Sequence, residues 1–176
     1  MSKLKIILIS SAVIMYFVFW YSLGIYMANR IVTISERASF LNTTQMIKAR
    51  ARGPLENMIM DAEKEGMCLV VHSGYRSKER QQRIYNEAED KSIVAVPGTS
   101  EHETGLAVDL GGCPMIDGVR NDEGERLELK KPFEELPEYQ WLLNNAQKYG
   151  FEQSYTEGNS KRTGFPAEPW HWRYVK

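Results

Sequence analysis

The stretch Ser100-Glu101-His102-Glu103-Thr104-Gly105-Leu106-Ala107-Val108-Asp109 decides how this 176-residue chain is read. Leu106 to Leu110 is a short run of mostly apolar residues, closed by Gly111-Gly112, and it predicts a strand that ends at a break. Gly105 can relax the turn that leads into this strand. His102 and Asp109 are seven residues apart, and the turn lets imidazole and carboxylate converge. The second informative stretch is Glu168-Pro169-Trp170-His171, where an offset of three residues sets a carboxylate beside an imidazole within one turn. The whole chain has three histidines, and two of them fall in these blocks.

His102, Asp109 and His171 together offer three metal ligands, with Glu168 free near an open fourth position. Three protein ligands plus water is the catalytic form of a zinc site, whereas a structural site is closed by four ligands rich in Cys. Zinc fits these ligand types, with cobalt and manganese as alternatives. A water held there would fall in pKa from 15.7 toward about 7. Glu168 is placed to orient and deprotonate that water, then to pass the proton to a leaving amine. Singly, each residue has an ordinary reading: His102 a satisfied strand-end histidine, Asp109 a turn cap, Glu168 a solvated charge. The joint pattern is what points to a metal.

The rest of the chain supplies a scaffold. Pro54 suits a first helical turn, and Leu55, Met58, Ile59 and Ala62 share one face before Gly66, a suitable helix stop. Met67 to Val71 reads as a buried strand that delivers Ser73-Gly74-Tyr75-Arg76-Ser77 at its end. Ser77 can cap a helix bearing Gln81, Ile84, Tyr85 and Ala88 on one face. The charged stretch Asp117–Lys131 predicts a surface excursion, and Leu142, Leu143, Ala146 and Tyr149 a helix from Pro137 to Gly150. Strands near Phe151 and at Trp172–Val175 complete the set. The fold class expected is α+β, a small single catalytic domain whose mostly antiparallel central sheet is flanked by helices.

The overall charge of -1 and pI near 6.3 argue against a protein held on nucleic acid by a basic surface. That average joins two unlike parts. Ile6 to Asn29 is 24 residues without a charge, whereas residues 51–176 carry 16 Lys/Arg against 22 Asp/Glu, a net of -6. An apolar run of about 20 residues spans a bilayer core, and Lys3 and Lys5 would hold the short end in the cytoplasm. The competing reading is a cleaved signal peptide, for which Ser22-Leu23-Gly24 is a poor cleavage site. Either places the remaining chain outside the cytoplasm. The organisation expected is a cytoplasmic N-terminus at 1–5, one transmembrane helix at 6–28, a stalk at 29–53 and a catalytic domain at 54–176.

Three blocks carry a resemblance. Ser73-Gly74-Tyr75-Arg76-Ser77 with Gln81, the Ser-x-His-x-x-Gly-x-Ala-x-Asp block at 100–109, and Glu168-Pro169-Trp170-His171-Trp172-Arg173-Tyr174-Val175 resemble the VanY-type D-alanyl-D-alanine carboxypeptidases. That family sits in the wider group of lysostaphin-type and D-Ala-D-Ala metallopeptidases and the hedgehog domain. The resemblance covers residues 54–176. It implies zinc ligated by His102, Asp109 and His171, with Glu168 as the catalytic base. It implies Arg76 over the metal, where an always-charged planar donor steadies the oxyanion of a tetrahedral intermediate. Ser100, Gln81 and Tyr75 map onto the pocket that holds the substrate's terminal carboxylate. Of the two tryptophans flanking His171, strand alternation sends one to the core, and Trp170 is the expected groove residue. The chain departs from the family at Ser154-Tyr155, where an Arg often precedes the Tyr.

The resemblance thus implies a zinc D,D-carboxypeptidase acting on peptidoglycan stem peptides or their lipid-linked precursors, at the outer face of a bacterial cell membrane. Such trimming alters cross-linking and, in antibiotic resistance, removes the dipeptide that glycopeptides bind. An L,D-carboxypeptidase on tetrapeptides and a D,D-dipeptidase are the nearest alternatives. An inactive zinc-containing binding module is the alternative of another class. Cys68 and Cys113 either form a disulfide, which closing about 46 residues would make worth roughly 4 kcal/mol, or stay as two buried thiols.

Overall fold

The structure is a computed structural model that describes residues 2–35, 38–39, 44–112, 115–116, 119–120 and 132–176; of residues 2–12, 115–116 and 119–120 it describes the backbone alone. It divides into two compact units, Met1–Arg30 and Ile31–Lys176.

The first unit is helix α1 (Ser2–Asn29). Among the described residues no helix is long and apolar enough to cross a membrane, so the transmembrane span expected at 6–28, and the membrane as a partner, are not supported. Tyr16, Tyr21, Ser22 and Tyr26 interrupt the apolar run of α1 with polar groups.

The second unit begins with β1 (Ile31–Thr33), β2 (Met46–Lys48) and α2 (Ala49–Lys64). β1 and β2 pair antiparallel, with Val32 opposite Ile47. Ile34, Ala38 and Ile47 are buried in the same core as α2. Where a stalk is expected at 29–53, the described residues from Ile31 onward fall within the second compact unit. α2 also starts earlier than expected, because β2 runs straight into it and Ala51 is already buried. Pro54 lies inside the helix instead of in its first turn. At its C-terminus Gly66, at φ +81°, donates to the Glu63 carbonyl, and Met67 to that of Ala62. This is the paired bonding of a Schellman stop, and it requires the left-handed conformation that Gly tolerates.

Strand β3 (Leu69–Ser73) leads through the Gly74–Ser77 turn to α3 (Lys78–Glu87), whose Arg80 N–H bonds to the Ser77 hydroxyl as an N-cap. A short 3-10 helix, Glu101–Thr104, precedes β4 (Ala107–Gly112). The strand pair β5 (Met115–Ile116) and β6 (Val119–Arg120) is followed by α4 (Pro137–Asn145), β7 (Phe151–Gln153), α5 (Ser160–Thr163) and β8 (His171–Tyr174). Most of the excursion expected at Asp117–Lys131 lies outside the described residues, as does Cys113. Cys68 is disulfide-bonded.

β3, β4, β8 and β7 form one four-stranded sheet in that order, antiparallel throughout. One face follows from alternation: Val108 and Leu110 of β4 and Trp172 of β8 are buried, and join Leu55, Met58 and Ala62 of α2 and Leu142 of α4 in the core. The opposite face carries Asp109 and His171. The α+β class expected from sequence is the class observed.

Candidate active site

Register builds the centre of the site. Asp109 and His171 are directly opposed on β4 and β8, so the ladder itself sets carboxylate beside imidazole. His171 Nδ1 lies 3.1 Å from Asp109 Oδ1. His102 comes from the 3-10 helix before β4, and Gly105, at φ +69°, turns the chain from that helix into the strand. His102 Nε2 lies 3.2 Å from the same Asp109 oxygen. The donor atoms of His102, Asp109 and His171 are all within 4.8 Å of one another.

The tautomers are set from outside. His102 Nδ1 is 2.8 Å from the Gly74 carbonyl, to which it donates, so Nε2 is the nitrogen turned toward Asp109 and the centre. His171 Nε2 donates to Glu101 Oε2 at 3.0 Å, so Nδ1 is the nitrogen turned toward Asp109 and the centre. Each of the two imidazole nitrogens thus lies from the carboxylate oxygen at a separation near the roughly 3.3 Å edge of a tetrahedral site with bonds of about 2.0–2.1 Å, and all three donor atoms lie within 4.8 Å of one another. The donor set fits zinc.

Electrostatics match this crowding. Burial opposes the Asp109 charge, but hydrogen bonds from His102 and His171 hold its carboxyl well below the ordinary value. Burial pulls His171 down, yet the bonds to Asp109 and Glu101 outweigh it and push its pKa up to about 9. Glu168 Oε2 is 3.7 Å from His171 Nδ1. Burial pushes the Glu168 carboxyl above its usual value; Asp109 and Glu101 act the same way, and His171 and Arg76 partly offset them. A carboxylate at this place can take a proton from a neighbouring group and return it.

These groups line an open cleft of about 570 Å³. Arg76 lies on its wall, where Nη1 donates to Gln81 Oε1 at 2.8 Å and Nη2 to the Ser73 hydroxyl at 3.4 Å. Its Nε is buried and has no partner among the described residues. Gln81 is 1% exposed and donates onward to the Ala95 carbonyl at 2.7 Å, so it fixes the guanidinium as much as it faces the cleft. Ser100 lines the cleft and does not cap the short helix that follows it. Trp170 lines the cleft and is 43% exposed, whereas Trp172 is in the core, its indole N–H bonded to the Pro169 carbonyl. Tyr75 is not among the lining residues; its backbone N–H instead bonds to the Met46 carbonyl at 2.6 Å.

Two polar cleft residues, Glu101 and Tyr155, lie outside the site set expected from sequence. Glu101 had its signal in plain view, beside His102. Tyr155 packs its ring 5.0 Å from that of His171, and burial followed by the Glu101 and Glu168 charges pushes its hydroxyl up to about 12, so it stays a donor.

Comparison with known proteins agrees with this geometry. A D-alanyl-D-alanine carboxypeptidase of Enterococcus faecalis is 34% identical over 151 residues, covering 77% of this chain and 50% of that protein. One of Enterococcus faecium is 38% identical over 120 residues, covering 67% and 34%. The chain spans about half the length of the curated relatives it matches, or less. Among solved structures, the LdcB LD-carboxypeptidase superposes with a TM-score of 0.67 at 35% identity, covering 82% of this chain and 67% of that one. A D,D-pentapeptidase VanY from a VanB-type resistance cassette, solved with Zn(II), gives 0.61 at 31% identity, covering 82% and 83%. The VanY family model, described as D-alanyl-D-alanine carboxypeptidase, matches residues 44–176, a span holding every donor and cleft residue above, and the chain belongs to that family.

Proposed function

We propose that the domain is a zinc-dependent D,D-carboxypeptidase that removes the terminal D-alanine from peptidoglycan stem peptides or their precursors. The observation that carries this reading is the convergence of His102, Asp109 and His171 with Glu168 beside them in an open cleft. When bound, zinc polarises the scissile carbonyl and makes a water acidic enough to attack at neutral pH. The chain's own residues do the rest. His102 and His171 present one lone pair each because Gly74 and Glu101 occupy their other nitrogens. Glu168 takes the proton of the attacking water on its carboxylate and returns it to the leaving amine. Arg76, held by Gln81, lines the cleft with a charged guanidinium that can face the oxygen that becomes negative. Trp170 and Ser100 line the cleft where the peptide would lie.

The structure of VanYB was solved in complex with D-alanine-D-alanine, which supports a D-Ala-D-Ala terminus as substrate. A second reading, L,D-carboxypeptidase on tetrapeptides, is favoured by the likeness to LdcB. The disulfide at Cys68 supports an extracytoplasmic site of action, where the wall substrate also lies. The test incubates the full chain, zinc-loaded, with penta- and tetrapeptide stems and weighs the products. D-alanine released from pentapeptide, and lost by at least 10³-fold in Glu168→Gln, is the expected result. Release from tetrapeptide only would replace the D,D reading by the L,D one, and activity unchanged in Glu168→Gln would remove the general base.

A further inference from the structure

Glu101 is the one carboxylate in the cleft with no place in the reaction as described, and it is the most heavily bonded. It lies in the 3-10 helix next to His102 but reaches away from it, across to β8. Its Oε2 accepts from His171 Nε2 at 3.0 Å and from the Ser154 hydroxyl at 2.5 Å, and its Oε1 accepts from Arg173 Nη1 at 2.8 Å. The side chain is 18% exposed, so these bonds are shielded from water. Its partners come from two parts of the fold: Ser154 after β7, and His171 and Arg173 on β8, two residues apart and hence on the same face. The two imidazoles of the centre are therefore supported unequally. His102 leans on a neutral carbonyl, that of Gly74, whereas His171 leans on a carboxylate.

We propose that Glu101 is a positioning residue for the metal: it fixes the His171 proton on Nε2, aims Nδ1 at the centre and strengthens that nitrogen as a donor, with Arg173 and Ser154 holding Glu101 in place. A carboxylate behind a ligating imidazole orients the ring and raises its basicity, and losing such a partner typically costs 10–100-fold in metal affinity. Asymmetry sharpens the claim. Because Gly74 offers His102 only a dipole, the charged support of the site resides at Glu101, and zinc affinity should be sensitive to it in proportion to its charge and not merely to its hydrogen bond. Arg173 is 46% exposed and does not touch either imidazole in the described bonds, so its contribution passes through Glu101.

This inference rests on the zinc reading above, and its test reads the metal instead of turnover. The full chain is stripped with a chelator, and zinc affinity is measured by competition with a chromophoric chelator for wild type, Glu101→Gln, Glu101→Ala, Arg173→Met and the Glu101→Gln/Arg173→Met double variant. Glu101→Gln, which keeps the acceptor and loses the charge, should bind zinc about 10-fold more weakly, and Glu101→Ala up to about 100-fold. Arg173→Met alone should lose less, and the double variant should be no weaker than Glu101→Gln, since Arg173 acts through the carboxylate. Cobalt(II) bound to Glu101→Ala should show a changed visible spectrum, which general loosening of the fold would not produce. A loss under threefold in Glu101→Gln overturns the proposal, and so do losses that add in the double variant. Glu101→Gln is isosteric, so the test stands if Glu101→Ala fails to fold. Wild-type protein that binds zinc but cleaves no peptide would sink the carboxypeptidase reading and leave this result intact.

Discussion

Gly74→Ala tests how the site is held, because Gly74 touches both its scaffold and its metal donors. A Cβ built on Gly74 falls closer than 3.0 Å to the Met46 carbonyl oxygen, a separation real Cβ atoms essentially never show, and 3.3 Å from the Met46 carbonyl carbon and nitrogen. These are backbone atoms of β2, which cannot swing aside as a flexible side chain would. The two segments must part by roughly 1 Å, and overpacking of this kind costs about 1–3 kcal/mol. Separation also strains the Tyr75 N–H bond to Met46 O and the Gly74 N–H bond to Gln45 Oε1, each worth about 1 kcal/mol net. The expected loss is therefore about 2–5 kcal/mol, read as a lower urea midpoint at unchanged slope. The Gly74 carbonyl moves with its residue, so the 2.8 Å bond that orients His102 lengthens and zinc affinity should fall about 10-fold or more. A Gly74→Ala protein with wild-type midpoint and wild-type zinc affinity would refute both the close approach of β2 and its role in aiming His102.

Gly53→Ala is the matched control: Gly53 lies within α2 with nothing within 4 Å of an added Cβ, so Ala should stabilise by about 0.5–1 kcal/mol, measured by the same urea titration. Arg76→Lys keeps a charge but loses the fork that spans Gln81 and Ser73, and kcat/KM should drop about 10²–10³-fold with folding intact by circular dichroism. Zinc binding at pH 7.5 should release about one proton from His171, whose pKa near 9 keeps it charged in the metal-free protein; calorimetry in buffers of differing ionisation enthalpy reads this directly. The same group sets the alkaline limb of metal-free stability. Since its folded pKa lies above the unfolded value of about 6.5, its contribution is complete below pH 6.5 and is lost as pH rises toward 9. Asp109, depressed instead, contributes above about pH 4 and loses its contribution on further acidification. A metal-free protein whose stability is flat from pH 6.5 to 9 would contradict the His171 assignment.

The parts that were legible in the sequence share a physical cause: their signals are local. Leu55, Met58, Ile59 and Ala62 mark α2 by periodicity, Gly66 and Gly150 mark stops by conformational freedom, and the two ligand blocks announce themselves by residue type. The parts that were missed depend on partners far along the chain. β1 and β2 are three residues each, too short for any period, and they belong to the domain because Met46 and Lys48 bond to Tyr75 and Gly105. Pro54 reads as a helix start by its own preference, and only the burial of Ala51 and the run-on from β2 extend α2 upstream. Glu101 meets His171 across 70 residues, so adjacency to His102 suggested nothing about its true partner.

The register of the sheet joins these levels. Asp109 faces His171 only while Val108 faces Trp172 and Ala107 faces Arg173. Because side chains alternate with a period of two, slipping β8 by one residue would turn His171 into the core and Trp172 toward the cleft. The burial of Val108, Leu110 and Trp172 against α2 forbids that slip. Each such side chain contributes about 1.5–3 kcal/mol by leaving water, so the apolar face of the sheet sets the geometry of its polar face. Two of the three candidate metal donors are presented from neighbouring strands, where the ladder brings carboxylate and imidazole together, and the third, His102, is delivered by the 3-10 helix that leads into β4.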